Sequence, residues 1–125
     1  MEKIITEESK NNKGHYVPGV VSNGLLFVSG QLSRDPVSGA VPEGGIEEHV
    51  RLALKNMEKV LKQAGCTRSD VIQCRVYITD IEYWNRVNKV YAEFFGEHKP
   101  ARIIVPVPAL HFGCLTEIEV VAEVK

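Results

Sequence analysis

An arginine at the start of a short apolar segment is the residue best suited to chemistry in this chain. Arg102 follows Pro100-Ala101 and precedes Ile103-Ile104-Val105. A guanidinium group is a planar, permanently charged fork that binds a carboxylate or phosphate through two parallel hydrogen bonds. Arg102 is therefore a candidate anchor for a small acid. The alternative is a surface arginine paired with a glutamate, and residue type and position alone favour that alternative.

Two carboxylates on the last apolar segment are candidates for proton transfer. Glu117 and Glu119 are two residues apart, so on a strand they project from the same face. Either could act as a general acid or base beside a bound substrate. Both could equally be solvated strand carboxylates, and their spacing does not choose between them.

Each of the other candidate residues can be explained by an ordinary structural role as well as by a functional one. His111 and Cys114 form an H-x-x-C arrangement, but no further ligands lie nearby, so no metal site is expected. Tyr16 is a pocket hydroxyl or a loop tyrosine, Trp84 belongs to a core or an interface, and Asn88 is typical of a solvated helix position. No phosphate loop, nucleotide fingerprint or serine triad motif occurs.

Composition predicts one globular domain spanning residues 1–125. Hydrophobic residues make up 44% and charged residues 25%, with a formal net charge of -1, so no electrostatic footprint for nucleic acid is visible. Three cysteines cannot all pair, which favours reduced thiols. The first residues, MEKIITEESKNNK, lack the apolar core of a signal peptide, and no apolar run reaches the ~20 residues of a membrane span. We expect a cytoplasmic protein.

The hydrophobic spacing predicts strands and two helices that would position these residues. Asn23-Gly24 predicts a tight hairpin, because both residues tolerate positive φ. Apolar residues recur at helical spacing from Ile46 to Ala64, and Gly65 ends that helix; a second helix begins near Trp84 and stops at Gly96. The predicted strands are Lys3–Thr6, Val17–Val21, Leu25–Ser29, Val71–Thr79, Ala101–Val105 and Thr116–Val124.

This order of elements predicts a mixed sheet with both helices on one face. On the last strand Ile118, Val120, Ala122 and Val124 would meet the helices. The opposite face is half polar and half apolar, which suits either water or a symmetric partner subunit. Its predicted residues are Gln73, Arg75, Tyr77, Thr79, Glu117, Glu119, Val121 and Glu123.

Four segments in register resemble one known family, the RidA proteins (YjgF/YER057c/UK114). They are LFVSGQLSRDP (26–36), ALKNMEKVLKQAG (53–65), VNKVYAEFFGEHKPAR (87–102) and TEIEVVA (116–122). The resemblance implies an α/β (α+β) fold like that of chorismate mutase, a six-stranded mixed sheet with two helices on one face. It also implies a homotrimer with a barrel-like core and clefts between subunits.

The resemblance further implies a hydrolase. Members with the arginine convert reactive 2-imino or enamine acids, such as 2-aminoacrylate, to 2-oxo acids and ammonia, without a metal or other cofactor. It places the carboxylate-binding and catalytic arginine on Arg102 and the catalytic glutamate on Glu117. It places the other substrate contacts on Tyr16, Ser29, Gly30, Trp84 and Asn88.

Several positions depart from the family pattern and leave the substrate open. His15 precedes Tyr16, and Trp84 narrows the implied cleft. Pro106 and Pro108 are expected to end or bulge their strand early. His111 adds a polar group to the cleft or caps its loop, and we expect the cap. Two other functions stay open: a ligand-binding or regulatory module for 2-oxo acids, and a ribonuclease or translation inhibitor, which the near-neutral charge disfavours.

Overall fold

A computed structural model, which describes all residues 1–125, folds into one six-stranded sheet. The strand order is β1-β2-β3-β6-β4-β5. The β4–β5 pair is parallel and every other pair is antiparallel, so the sheet is mixed as predicted. The strands are β1 (Glu2–Ile4), β2 (Gly19–Ser22), β3 (Leu25–Leu32), β4 (Val71–Ile78), β5 (Ala101–Pro106) and β6 (Thr116–Glu123).

The predicted hairpin joins β2 to β3. Asn23 has φ 51° and Gly24 has φ 76°, while Ser22 pairs with Leu25 across the ladder. Two consecutive left-handed residues match the right-handed twist of the flanking strands. The prediction from Asn-Gly is confirmed.

Two helices cover one face of the sheet, α1 (Ile46–Gln63) and α2 (Trp84–Phe95). Gly65, with φ 77°, follows the end of α1, and Gly96, with φ 63°, ends α2. Both glycines have a positive φ, which glycine adopts at low steric cost. Neither helix is long and apolar enough to cross a membrane.

The core lies between the helices and the inner face of the sheet. One cluster of 22 buried residues fills this space. On β6 the alternation is clear: Ile118, Val120 and Ala122 are buried, whereas Glu117 and Glu119 are half-buried on the other face. Three of the four predicted helix-facing residues are therefore buried, and the fourth, Val124, follows the end of the strand and packs partly buried against the same core.

The outer face of the sheet is covered by no element of this chain. Phe27 and Ile103 are each 46% exposed there. Tyr77 donates a hydrogen bond to Glu119 Oε1 at 2.8 Å, and Arg75 lies 3.6 Å from the same carboxylate. A face that mixes exposed apolar side chains with an ordered polar network agrees with the predicted half-polar surface.

The two prolines near β5 disturb the strand less than expected. Strand β5 continues through Pro106, one residue past the predicted end. Val107 still donates its backbone N–H to Ile78 at 2.8 Å. Because successive N–H groups of a strand point to opposite sides, the donor that Pro106 lacks would point to the open edge, where proline is tolerated.

Candidate active site

Arg102 reaches back over the helix-covered face of the sheet. It pairs with Cys74 in the parallel β4–β5 ladder, and Cys74 is fully buried toward the helices. Arg102 Nη1 donates a hydrogen bond to Asn88 Oδ1 at 2.8 Å. The guanidinium carbon lies 4.8 Å from the centre of the Tyr91 ring and 5.5 Å from that of Trp84. We call Trp84, Asn88, Tyr91 and Arg102 the arginine cluster.

Arg102 is half-buried and has no carboxylate partner. Aromatic faces attract the cation but leave the N–H groups at its edge without acceptors. The Asn88 amide oxygen satisfies only one of them. The arginine cluster is therefore built like a binding site for an anion, not like a surface salt bridge.

The groups beneath Arg102 do not supply proton transfer at neutral pH. Burial raises the pKa of the Cys74 thiol to about 12. Burial also raises the pKa of Tyr91, whose hydroxyl is buried without a hydrogen-bond partner. Both groups stay protonated, so this cluster can bind and orient an acid but has no base of its own.

A β-bulge makes room for Glu117 on the other face. The register between β3 and β6 shifts between Val28 and Gln31, at Ser29-Gly30. The Ser29 backbone N–H donates to Pro18 at 2.8 Å and the Ser29 hydroxyl donates to Val17 at 2.6 Å. A Cβ atom on Gly30 would lie 2.7 Å from Glu117 Oε2, so only glycine allows the carboxylate its position.

The surroundings of Glu117 raise its pKa above the ordinary value for a glutamate. Partial burial raises its pKa, the like charge of Glu119 raises it further, and His111 opposes the shift. Glu119 accepts a hydrogen bond from Tyr77 and lies near Arg75, whereas Glu117 has no hydrogen-bond partner. An unpaired carboxylate with a raised pKa suits general acid–base chemistry. Geometry thus favours Glu117, which spacing alone did not.

Tyr16 lies in the segment before β2, close in sequence to the residues that Ser29 holds. Its side chain is 56% exposed and folds back over Gly14, where an added Cβ would lie 2.3 Å from the ring. Its hydroxyl makes no hydrogen bond. Ser29, Gly30 and Glu117 form what we call the glutamate cluster, and Tyr16 is linked to it only through the bonds of Ser29 to Val17 and Pro18.

The arginine cluster and the glutamate cluster lie on opposite faces of the sheet. Directly paired residues project to the same side of a sheet. Arg102 pairs with Cys74, on the helix-covered face, while Glu117 pairs with Tyr77, on the outer face. A single chain therefore does not bring Arg102 and Glu117 together, although Trp84 and Asn88 lie around Arg102 and Gly30 lies against Glu117.

Three neighbouring residues were not anticipated from the sequence. Tyr91, the ring under Arg102, lies in α2 and is buried. Arg34 lies between β3 and α1, and its guanidinium carbon sits 4.0 Å from the centre of the Phe112 ring. Phe112 has φ 61°, a left-handed conformation that is rare for a large side chain. No local signal in the sequence indicates either contact.

His111 does not cap its loop as expected. Its side chain makes no hydrogen bond and instead stacks on Phe112, with ring centres 3.6 Å apart. No group of three or more His, Cys, Asp or Glu is arranged to hold a metal ion. Cys66, Cys74 and Cys114 are buried free thiols.

The fold defines the class of protein: an α+β sheet with two helices, built like the known L-PSP structures. The model of the endoribonuclease L-PSP family matches residues 6–124. The chain belongs to this family, the RidA (YjgF/YER057c/UK114) proteins.

Relatives cover nearly the whole chain. A RutC family protein of Pyrococcus horikoshii is 39% identical over 121 residues, which make up 97% of this chain and 96% of that protein. The human 2-iminobutanoate/2-iminopropanoate deaminase is 39% identical over 119 residues, covering 95% of this chain and 87% of that enzyme. The crystal structure of Escherichia coli TdcF with bound serine superposes with a TM-score of 0.92 at 33% identity, covering 100% of both chains.

Proposed function

We propose that this protein hydrolyses reactive 2-imino and enamine acids to 2-oxo acids and ammonia. The observation that carries the proposal is Arg102, half-buried over two aromatic rings and lacking any carboxylate partner. The similarity of the chain to the human deaminase, and the serine bound in the related TdcF structure, support an amino-acid-derived substrate.

In this mechanism Arg102 fixes the substrate. Its free N–H groups bind the substrate carboxylate in a bidentate pair, while Asn88 holds the guanidinium in orientation. Trp84 forms one wall and limits rotation of the bound acid. Holding the carboxylate in one pose lowers the entropic part of the barrier to attack on the adjacent carbon.

Glu117 serves the chemical steps. A proton from solvent adds to the enamine carbon and gives the iminium ion, the protonated imine. Water then adds to the iminium carbon as Glu117 takes a proton from it, which leaves a neutral amino alcohol. Glu117 returns that proton to nitrogen, the C–N bond breaks to release ammonia, and the hydroxyl proton passes to solvent as C=O forms. A raised pKa makes Glu117 an effective donor as well as an acceptor. Gly30, Ser29 and Tyr16 shape the wall on this side.

We also propose that the working unit is a homotrimer. Because Arg102 and Glu117 lie on opposite faces of one sheet, a complete site requires the arginine cluster of one subunit and the glutamate cluster of the next. The partly apolar outer face, with Phe27 and Ile103 exposed, offers the surface that such packing would bury. The three free thiols favour the reducing cytoplasm as its location.

A coupled assay tests the reaction. A dehydratase generates 2-aminoacrylate, and pyruvate release is followed with and without the purified protein. We expect Arg102→Ala to lower kcat/KM at least about 100-fold, since it removes a charge-assisted bidentate contact. The matched control is Arg51→Ala, which removes an exposed arginine paired with Glu48 on α1. Equal rates for wild type and Arg102→Ala would overturn the proposal.

A binding module without turnover is the second candidate. Arg102, which lies over an aromatic ring, is as well suited to holding a 2-oxo acid as to catalysis, and the related structure with bound serine agrees with a binding function. Tight calorimetric binding of 2-oxobutyrate by wild type, lost in Arg102→Ala and accompanied by no pyruvate release, would identify this function instead. A ribonuclease function is supported only by the family's description as endoribonuclease L-PSP.

A further inference from the structure

We propose that Arg34 binds a second anionic group of the substrate, so that this protein favours 2-imino acids carrying a distal carboxylate. This inference rests on the proposed function and specifies its substrate class. The acid group next to the imine would bind Arg102, and the acid group at the far end of the side chain would bind Arg34.

The first observation is that Arg34 has no counter-ion. The chain has six arginines, and four of them pair with glutamates. Only Arg34 and Arg102 lack a carboxylate. The Arg34 guanidinium makes no hydrogen bond within the chain, and its Nε is buried without a partner. Its Nη1 and Nη2 groups are not buried and make no hydrogen bond, so they are the donors that a ligand can reach.

The carboxylate next to Arg34 is engaged elsewhere. Asp35 Oδ1 accepts hydrogen bonds from the backbone N–H groups of Val37, at 2.8 Å, and Ser38, at 3.0 Å. These bonds lower the pKa of Asp35 and hold its side chain in the turn that follows. The sequence thus places an acid beside Arg34, but the fold directs it away.

The second observation is that Arg34 is supported in the same manner as Arg102. Its guanidinium carbon lies 4.0 Å from the Phe112 ring centre, as that of Arg102 lies 4.8 Å from the Tyr91 ring centre. Stacking on an aromatic face orients the cation and leaves its edge N–H groups for an anion. Gly39 leaves space for this position, because a Cβ there would lie 2.8 Å from Arg34 Nη2.

The third observation is that Arg34 lies beside the glutamate cluster. Leu32, two residues before Arg34, pairs directly with Glu117. Phe112, under the guanidinium, stacks on His111, which opposes the rise in the pKa of Glu117. In the proposed complex, a substrate whose reacting carbon meets Glu117 extends its side chain toward Arg34. A side chain ending in a carboxylate would complete an arrangement in which each unpaired arginine holds one acid group.

The test compares two imines generated in situ by amino-acid oxidases: 2-iminoglutarate from glutamate, and the five-carbon 2-iminopentanoate from norvaline. Each imine is followed by its loss and by formation of the 2-oxo acid. We expect Arg34→Met to lower kcat/KM for 2-iminoglutarate about 10- to 100-fold, the usual effect of losing a hydrogen bond between charged groups. The rate with 2-iminopentanoate should stay within about twofold. Arg34→Lys, which keeps the charge, should retain part of the preference.

Several outcomes would overturn the proposal. One is an equal loss with both imines in Arg34→Met, and another is a wild-type protein with no preference for the dicarboxylic imine. The wild-type comparison needs no variant, so it decides the matter even if Arg34→Met folds poorly. If wild type hydrolyses neither imine, the proposed reaction fails. Calorimetric binding of 2-oxoglutarate against 2-oxopentanoate then tests Arg34 separately, and equal affinities would refute its role.

Discussion

Glu117 and Glu119 have the same chemistry and share a strand face, yet their surroundings differ. Glu119 accepts a hydrogen bond from Tyr77 and lies 3.6 Å from Arg75. Glu117 faces the gap opened by Gly30 and has no such partner. The ion pair at Glu119 still leaves its charge close enough to raise the pKa of Glu117. One carboxylate thus has a structural role and tunes the other.

The pH dependence of the reaction should respond to Glu119. If Glu117 must be ionised to accept a proton, activity falls as the pH drops through its raised pKa. Glu119→Gln removes a like charge, which lowers the pKa of Glu117, so the acid limb of the kcat profile moves to lower pH. Rates measured from pH 4 to 8 check this. An acid limb that stays in place or moves to higher pH would contradict the role given to Glu117.

Gly30→Ala should separate activity from stability. The added methyl would lie 2.7 Å from Glu117 Oε2, and this carboxylate is the flexible end of a side chain that can move aside. We expect kcat to fall about tenfold or more, because a displacement near 1 Å at a catalytic group has a large effect on rate. The midpoint of urea unfolding should change little. A variant that keeps full activity would show that the position of Glu117 does not matter.

At the scale of elements, His49 ties together the segments that carry the glutamate cluster and Arg34. It is buried near the start of α1. Its Nδ1 accepts hydrogen bonds from the Ser33 hydroxyl at 2.6 Å and from the Leu115 N–H at 3.2 Å, while Nε2 donates to Pro42 at 3.1 Å. The Leu115 amide can only donate, so the ring must be neutral with its proton on Nε2.

The bonds of His49 predict an acid-sensitive fold. Burial lowers its pKa below the ordinary value of 6.5, so the unfolded chain binds a proton that the folded chain refuses. This contribution to stability is complete above about pH 6.5 and is lost as the pH falls toward the lowered pKa. In His49→Gln the free energy of unfolding should depend less on pH between 7 and 5. Identical pH slopes for the two proteins would contradict this account.

Most elements followed from local sequence. Helical spacing predicted both helices, Asn23-Gly24 predicted the hairpin, and the alternation on β6 predicted its two faces. The bulge at Ser29-Gly30 was not predicted, because it depends on how β3 pairs with β6. The insertion of β6 between β3 and β4 is likewise a long-range pairing that no local pattern encodes.

Less of the candidate site than of the fold could be predicted from the sequence. Residue type alone favoured an ordinary surface arginine at Arg102 and did not distinguish Glu117 from Glu119 as the catalytic carboxylate. The family resemblance identified Arg102 and Glu117 as the candidate catalytic residues. The contact between Arg34 and Phe112 could not be predicted from the sequence, because it joins a turn to a distant loop. An arginine without a counter-ion becomes visible only when the partners of all the other arginines are known.

At the scale of the whole molecule, the sheet separates the two halves of the site. The register of β4 directs Arg102 toward the helices and Glu117 toward the outer face. Rotation of side chains within one chain cannot join groups on opposite faces of a packed sheet. If both residues act on one substrate, a second copy must supply one of them, and a cyclic assembly supplies every site in the same way.

Subunit mixing tests this claim most directly. Arg102→Ala and Glu117→Gln are each expected to be inactive alone. Co-expressed in equal amounts with different affinity tags and purified through both, they should form mixed trimers in which some clefts pair an intact Arg102 with an intact Glu117. Every trimer that carries both tags has one intact cleft in three, so activity should return to about a third of wild type. Activity no greater than the sum of the separate variants would show that the two residues do not meet across a subunit interface.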